Sequence, residues 1–192
     1  SLRMLSCGGA DVTPEFVQRA RLDLGAVVKR SYGSTEAPTV TTSRFDDPPE
    51  RMIDSDGRTF GKTKVRIGEQ GEVWVQGPEV ARGYLDSRQT DQVFVDGWFR
   101  TGDLGWLDGD WLTITGRSDD LIIRAGENIS AREVELHLEE HQAVHQAVVV
   151  GVPDDLLGER VAAYVVAPEG FTLDTCRSWF VTRGLATFLT PE

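Results

Sequence analysis

The sequence is short of cysteine, of basic residues and of long apolar runs, and each shortage removes a class of protein. Its two cysteines, Cys7 and Cys176, lie far apart and show no metal-ligand spacing. That excludes a disulfide-stapled scaffold and a cysteine-built zinc site, and makes a reduced, cytoplasmic protein the expectation. No apolar stretch is long enough to span a bilayer and no signal-peptide pattern is present, so no transmembrane segment is expected. Lysine and arginine total 20 against 31 aspartates and glutamates, a formal net charge of -11. A broad nucleic-acid surface needs clustered cations and is excluded. A small anionic ligand is not, because backbone N–H groups at loops and helix starts bind phosphate without net positive charge. An initiating methionine is also missing. Ser1-Leu2 leads straight into one apolar run, and Thr190-Pro191-Glu192 follows directly on another, so both ends are expected to be cut from something larger.

Glycine is plentiful, 20 in 192 residues, which implies many turns and close backbone approaches. Leu2 to Ser6 reads as a short strand before Gly8-Gly9-Ala10. Thr13 can cap a helix with Pro14 at its first position and Phe16, Val17, Ala20 and Leu24 on one face, and Gly25 is placed to end it. Ala26-Val27-Val28 resumes as a strand before Tyr32-Gly33-Ser34-Thr35-Glu36. This is the order of a parallel βαβ unit, in which ligands bind outside the carboxyl ends of the strands. The two loops then share one edge. Residues 41–60 are rich in Asp and Pro and read as loop. Gly61-Lys62-Thr63 resembles the end of a phosphate-binding loop, but the pattern needs glycine at position 56 and Asp56 stands there.

From Lys64 short alternating strands follow, read as a small antiparallel sheet packed beside the parallel one. Asp108-Gly109 marks a hairpin. Trp98-Phe99-Arg100-Thr101-Gly102-Asp103-Leu104 and Gly116-Arg117-Ser118-Asp119-Asp120 flank the strand-like Asp110–Thr115. From that stretch alone two readings stand: a platform holding Asp103 and Arg117 toward a ligand, or a surface hairpin with solvated charges. After Asp120 a compact α+β module begins. Leu121-Ile122-Ile123 reads as a buried strand, and Ser130-Ala131-Arg132-Glu133 as a capping box opening a helix with Ala131, Val134 and Leu138 on one face. Val148–Val152 and Val161–Val166 read as strands. Thr172 begins a last helix with Leu173, Cys176 and Phe180 inward. His137, His141 and His145 are four apart, but the helix must end near His141, so they are not read as a metal stripe.

Five of these motifs, in this order, resemble the adenylate-forming superfamily of acyl-CoA synthetases, peptide-synthetase adenylation domains and luciferases. They are Tyr32–Glu36; Gly71-Glu72-Val73-Trp74-Val75 through Ala81-Arg82-Gly83-Tyr84-Leu85; Trp98–Leu104; Gly116–Asp120; and Gly126-Glu127-Asn128-Ile129-Ser130 through Glu135. Within the superfamily the chain looks most like short- to medium-chain or cyclic-carboxylate acyl-CoA ligases, which would set it in fatty acid metabolism. The resemblance implies residues 1–118 as the C-terminal part of a large AMP-binding domain and 119–192 as a small mobile domain. The implied fold is α/β and α+β: a partial parallel βαβ layer, a small antiparallel sheet, then a compact α+β domain.

The resemblance also implies chemistry. A carboxylic acid and ATP form an acyl-adenylate and pyrophosphate, and coenzyme A displaces AMP to give a thioester. Tyr32 would lie on the adenine, with Gly8, Gly9 and Ala10 along its other side and Gly33 and Ser34 completing the nucleotide loop. Thr35 would hydrogen-bond the phosphate and Glu36 would hold Mg2+, the catalytic pair within the chain. Asp103 and Arg117 would grip one ribose, Asp119 would be the hinge, and Gly126 would line the pantetheine path. Ala37 and Pro38 are candidates to touch the acyl chain. By residue chemistry alone, a bland reading also stands, with Tyr32 as core packing and Thr35 as only a turn or helix cap. The family's phosphate loop would lie upstream and its catalytic lysine downstream, so the fragment is expected to be inactive alone. Two rivals stand beside it: an adenylation domain loading a carrier protein, which shares the motifs, and, from another class, a non-catalytic nucleotide-binding or interaction module.

Overall fold

The computed structural model describes residues 2–9 and 12–192. They form two units, Ser1–Ile114 and Thr115–Glu192, and the division falls inside one strand. The expectation for Ala10 lies outside the described residues.

Unit one opens as the βαβ pattern requires. Strand β1 (Met4–Cys7) pairs in parallel with β2 (Val27–Tyr32). Between them, α1 (Pro14–Leu24) starts at Thr13, whose hydroxyl accepts the Phe16 amide, and stops at Gly25, φ 58. Residues 41–60 are not loop throughout. They contain β3 (Thr41–Thr42), α2 (Pro49–Asp54) and β4 (Arg58–Thr59). Distant partners order these pieces. Buried Asp47 accepts the Arg44 amide and pairs with Arg58, while Arg30 on β2 pairs with Asp56 at 2.7 Å. Helix α1 packs on β2 and α2, which bury Val17 and Ala20. Phe16 and Leu24 remain 51% and 48% exposed, so its apolar face is narrower than the spacing implied.

Strands β5 (Lys64–Ile67) and β6 (Glu72–Gln76), helix α3 (Ser87–Val93), and strands β7 (Phe94–Val95), β8 (Trp98–Asp108) and β9 (Trp111–Arg117) follow. Gly109, φ 60, turns β8 into β9. The sheet runs β1-β2-β3-β4-β9-β8-β6-β5, with β7 on β8. Two-residue strands β3 and β4 thus make the antiparallel part continuous with the parallel pair. Val40, Val73, Val75, Phe99 and Leu112 form the core beneath it. On β5, Arg66 lies over the rings of Trp74 and Trp98, 4.4 and 4.5 Å from their centroids, a cation–π stack across three strands.

Unit two is an antiparallel sheet of β10 (Leu121–Arg124), β11 (Glu127–Ser130), β12 (Gln146–Asp154) and β13 (Gly158–Val166), ordered β11-β10-β13-β12. Helices α4 (Ala131–Glu139) and α5 (Leu173–Thr182) share its core with Ile122, Ile129, Val149 and Val161. Ser130 caps α4 by accepting the Glu133 amide. Helix α4 also covers the open edge of β12: Glu135 accepts the Val149 amide at 2.9 Å and Glu139 the Ala147 amide at 3.2 Å. Unpaired edge amides are thereby satisfied. Ile123 and Leu173 were expected inward, yet both point to solvent. Ile123 takes the outer face that strand alternation gives it, and Leu173 is the first residue of its helix. The histidines pack on aromatic rings, His137 edge-on to Phe180 and His141 to Phe171 and Trp179.

Asp154 organises the turn from β12 to β13. Its carboxylate accepts the Leu157 and Leu156 amides at 2.8 and 2.9 Å and pairs with Arg160. Those two amides, then Arg160, hold its pKa below the ordinary 3.8. A carboxyl with a lowered folded-state pKa stabilises the fold above its unfolded value and loses that contribution as pH falls through the folded one. Asp154→Asn should therefore lower the melting temperature at neutral pH, and the gap to the parent should close in acid below pH 3.8. Melting curves across pH 2–7 check this; a gap that persists at the acid end contradicts it.

Candidate functional site

The carboxyl ends of β1 and β2 open into a cleft of about 760 Å³ whose lining includes Gly8, Gly9, Tyr32–Thr35 and Pro38. Parallel pairing forces both loops out on one side. Glycine then lets them approach: a Cβ on Gly8 would sit 2.5 Å from the Ser31 carbonyl, and one on Gly33 2.5 Å from the Pro38 carbonyl. The second loop is pinned by its own backbone. Ser34 N–H donates to the Ala37 carbonyl at 2.9 Å, and Val40 N–H to the Tyr32 carbonyl at 2.9 Å. Ala37 is buried in the core, so of the two acyl-chain candidates only Pro38 faces the cleft.

Asp103 does not sit in a loop. It lies within β8, where Glu72 pairs with Leu104 but Trp74 with Arg100, so β8 advances four residues while β6 advances two. The surplus forms a bulge. Gly102 takes φ 73, and Thr101 donates to the Val73 carbonyl at 2.8 Å while accepting the Asp103 amide at 3.0 Å. A bulge re-aims side chains. Here it sets the buried Asp103 carboxylate against the hydroxyl of Tyr32, which donates to it. Tyr32 and Asp103, 71 residues apart in sequence, thus form one unit beside the glycine loops.

Glu36 follows Thr35 out of the cleft and is gripped twice. Ala81 N–H donates to its carbonyl at 2.7 Å, and the Tyr84 hydroxyl donates to its carboxylate at 2.6 Å. The hydrogen bond to Glu36, then burial, then the negative charge of Glu36 raise the Tyr84 pKa above 10.0, so its hydroxyl stays a donor. Tyr84 falls within one of the sequence motifs, but nothing local marks its role, because its partner lies 48 residues away. Among the described residues no cluster of three or more acids, histidines or cysteines could hold a metal.

Unit two carries Arg117, Asp119 and Gly126. Arg117 ends β9 with its guanidinium 3.7 Å from the Asp119 carboxylate, both exposed. Asp119 belongs to a 3-10 turn, Ser118–Asp120. Gly116 just before it has φ 153, and a Cβ there would meet the Ser130 hydroxyl at 2.7 Å. Gly126 stands in the turn from β10 to β11, after Ala125, with φ values of 88 and 52. Its surroundings are open, so it is the backbone angle that requires glycine.

Two family models match the chain: AMP-binding enzyme over residues 1–85, and AMP-binding enzyme C-terminal domain over residues 133–192. Among curated proteins, a 3-[(3aS,4S,7aS)-7a-methyl-1,5-dioxo-octahydro-1H-inden-4-yl]propanoyl:CoA ligase of Rhodococcus jostii is 41% identical over 90% of this chain and 34% of its own length. A salicyl-AMP ligase / salicyl-S-ArCP synthetase of Mycobacterium tuberculosis is 35% identical over 100% of this chain and 36% of its own length. Among solved structures, an o-succinylbenzoate CoA synthetase from Bacillus subtilis, in complex with its acyl-adenylate, superposes with a TM-score of 0.85 at 30% identity. That match covers 98% of this chain and 41% of that one. The chain therefore spans little more than a third of the length of these curated relatives.

Proposed function

The chain belongs to the AMP-binding enzyme family of adenylate-forming ligases, and from that premise we propose that the protein carrying it is an AMP-forming acyl-CoA ligase. The Tyr32–Asp103 pair beside the glycine cleft carries the reading. An aromatic ring next to a buried carboxylate suits a nucleoside, the ring taking the base and the carboxylate accepting from ribose hydroxyls. Gly8 and Gly9 give the base's other face close backbone approach, and Gly33 and Ser34 shape the wall between base and phosphate. Thr35 offers a hydroxyl to the α-phosphate, where preorganised donors offset developing charge. Arg117 is the second ribose contact and Asp119 the hinge. The exposed 3-10 turn around Asp119 supports the latter, since its backbone can turn without opening a core.

The residues present fit Mg2+. The Glu36 carboxylate, an oxygen donor held by the Tyr84 hydroxyl, suits a cation that keeps several waters and takes its other ligands from substrate phosphates. When bound, the ion would neutralise phosphate charge. Glu36 would hold it and Thr35 would orient the phosphate. Gly126 is assigned to the pantetheine path of coenzyme A by its place in the motif that runs from Gly126 to Glu135. The carboxylic acid is the remaining substrate.

A second reading keeps the adenylate chemistry and changes the acceptor to a carrier-protein thiol. Relatives with both kinds of name favour keeping it in view. Carboxylate-dependent ATP–pyrophosphate exchange by the protein at its natural length tests the adenylation step. Thioester formed with free coenzyme A supports the ligase, and acyl transfer only to a carrier phosphopantetheine supports the alternative. The 192-residue chain by itself should give no carboxylate-dependent exchange, since it spans little more than a third of the length of these relatives. Exchange by the purified 192-residue chain would overturn that expectation. No helix among the described residues is long and apolar enough to cross a membrane.

A further inference from the structure

We propose that Tyr84 is a positioning residue for the Glu36 carboxylate, fixing it toward a divalent cation; this rests on the assignment of Glu36 above. The ring is anchored from outside the cleft. Tyr84 N–H donates to the Thr90 hydroxyl at 2.8 Å, and that hydroxyl also reaches the Asp86 carbonyl at 3.1 Å. Thr90 lies on α3, which Asp86 caps by accepting the Arg88 amide at 2.8 Å. The ring meets Phe94 edge-on at 5.8 Å, and Phe94 stacks on buried Phe99 at 5.0 Å. Gly83 is needed for the approach: its φ is 148, and a Cβ there would stand 2.6 Å from Thr90.

A chain of contacts therefore runs from the core through Phe94 and from α3 through Thr90 to one hydroxyl, and ends on the Glu36 carboxylate. The same segment holds the Glu36 carbonyl through Ala81. Glutamate is among the side chains with the most rotamer freedom to lose on binding. A carboxylate held in place beforehand loses less when a cation arrives, which is what supporting contacts do for metal ligands.

Tyr84→Phe removes the hydroxyl and keeps the ring. The test is the affinity for Mn2+ in the presence of ATP, read by water-proton relaxation in the protein at its natural length. ATP binding in EDTA and the melting temperature are followed in parallel. Tyr84→Phe should weaken Mn2+ about five- to tenfold, the size of one part-exposed hydrogen bond, with metal-free ATP binding and melting unchanged. Thr90→Val, which frees the Tyr84 backbone, should act in the same direction. Glu36→Gln separates the possible failures. If it weakens Mn2+ while Tyr84→Phe does not, the positioning role is overturned and Glu36 keeps its assignment. If neither variant changes Mn2+ affinity, the Glu36 assignment falls and the proposal with it. Equal loss of Mn2+ and metal-free ATP binding in Tyr84→Phe makes the residue merely structural and also overturns the proposal.

Discussion

Replacing Arg30 with methionine is expected to destabilise unit one by about 3–5 kcal/mol, the cost of stranding a buried partner charge. Arg30 is 6% exposed on β2. It donates to Asp56 at 2.7 Å and to the Ile53 carbonyl at 2.9 Å. Asp56 in turn accepts the Ile114 amide at 2.9 Å, while its carbonyl takes the Thr41 hydroxyl at 2.7 Å. One ion pair thus ties β2, α2, β3 and β9 together. Methionine fills much of the volume but removes the cation that faces the buried Asp56 carboxylate. Arg30→Met combined with Asp56→Asn should recover part of the loss, because no uncompensated charge then remains. Urea unfolding followed by tryptophan fluorescence reads this well, since four of the five tryptophans, Trp74, Trp98, Trp106 and Trp111, lie in unit one. A loss below about 1 kcal/mol, the range of a surface pair, would show that the bridge is hydrated instead.

The same network explains what was legible in the sequence. Helix α1 was, because Thr13, Pro14 and Gly25 act within one turn of their own positions, and Ser130 and the Gly109 hairpin are equally local. The parallel βαβ order followed from those elements. Residues 41–60 were not legible: α2 has six residues, and β3 and β4 two each, too short for any period. They are held by Arg30 and Arg58, and charge pairs between distant residues leave no trace in a periodicity. The site divides along the same line. Gly8, Gly9 and Tyr32–Thr35 could be set on one edge because strand order alone determines it. Asp103 flanks the strand-like Asp110–Thr115 in the sequence, but β8 continues through it by bulging. The partnership of Tyr84 with Glu36 depends on a tertiary fold and on Gly83 adopting φ 148.

The Asp103 bulge leads to the sharpest functional consequence. Asp103→Ala should weaken AMP binding by the protein at its natural length roughly 10- to 100-fold, the worth of charge-assisted hydrogen bonds to sugar hydroxyls. Asp103 is 9% exposed, and water is a poor substitute for its carboxylate there. Truncation also removes the carboxylate to which the Tyr32 hydroxyl donates. Loss of affinity alone would not separate recognition from disorder, so the comparison ligand is 2′,3′-dideoxy-AMP. A ribose-gripping carboxylate makes the parent prefer AMP, and Asp103→Ala should bring the two affinities together. Tyr32→Phe should behave differently: it removes the donor to Asp103 but leaves the acceptor for the sugar, so preference for AMP survives. Calorimetric titrations of the three proteins with both nucleotides decide the matter. An undiminished preference for AMP in Asp103→Ala would remove Asp103 from the ribose and leave the Tyr32–Asp103 pair as a strut beneath the cleft.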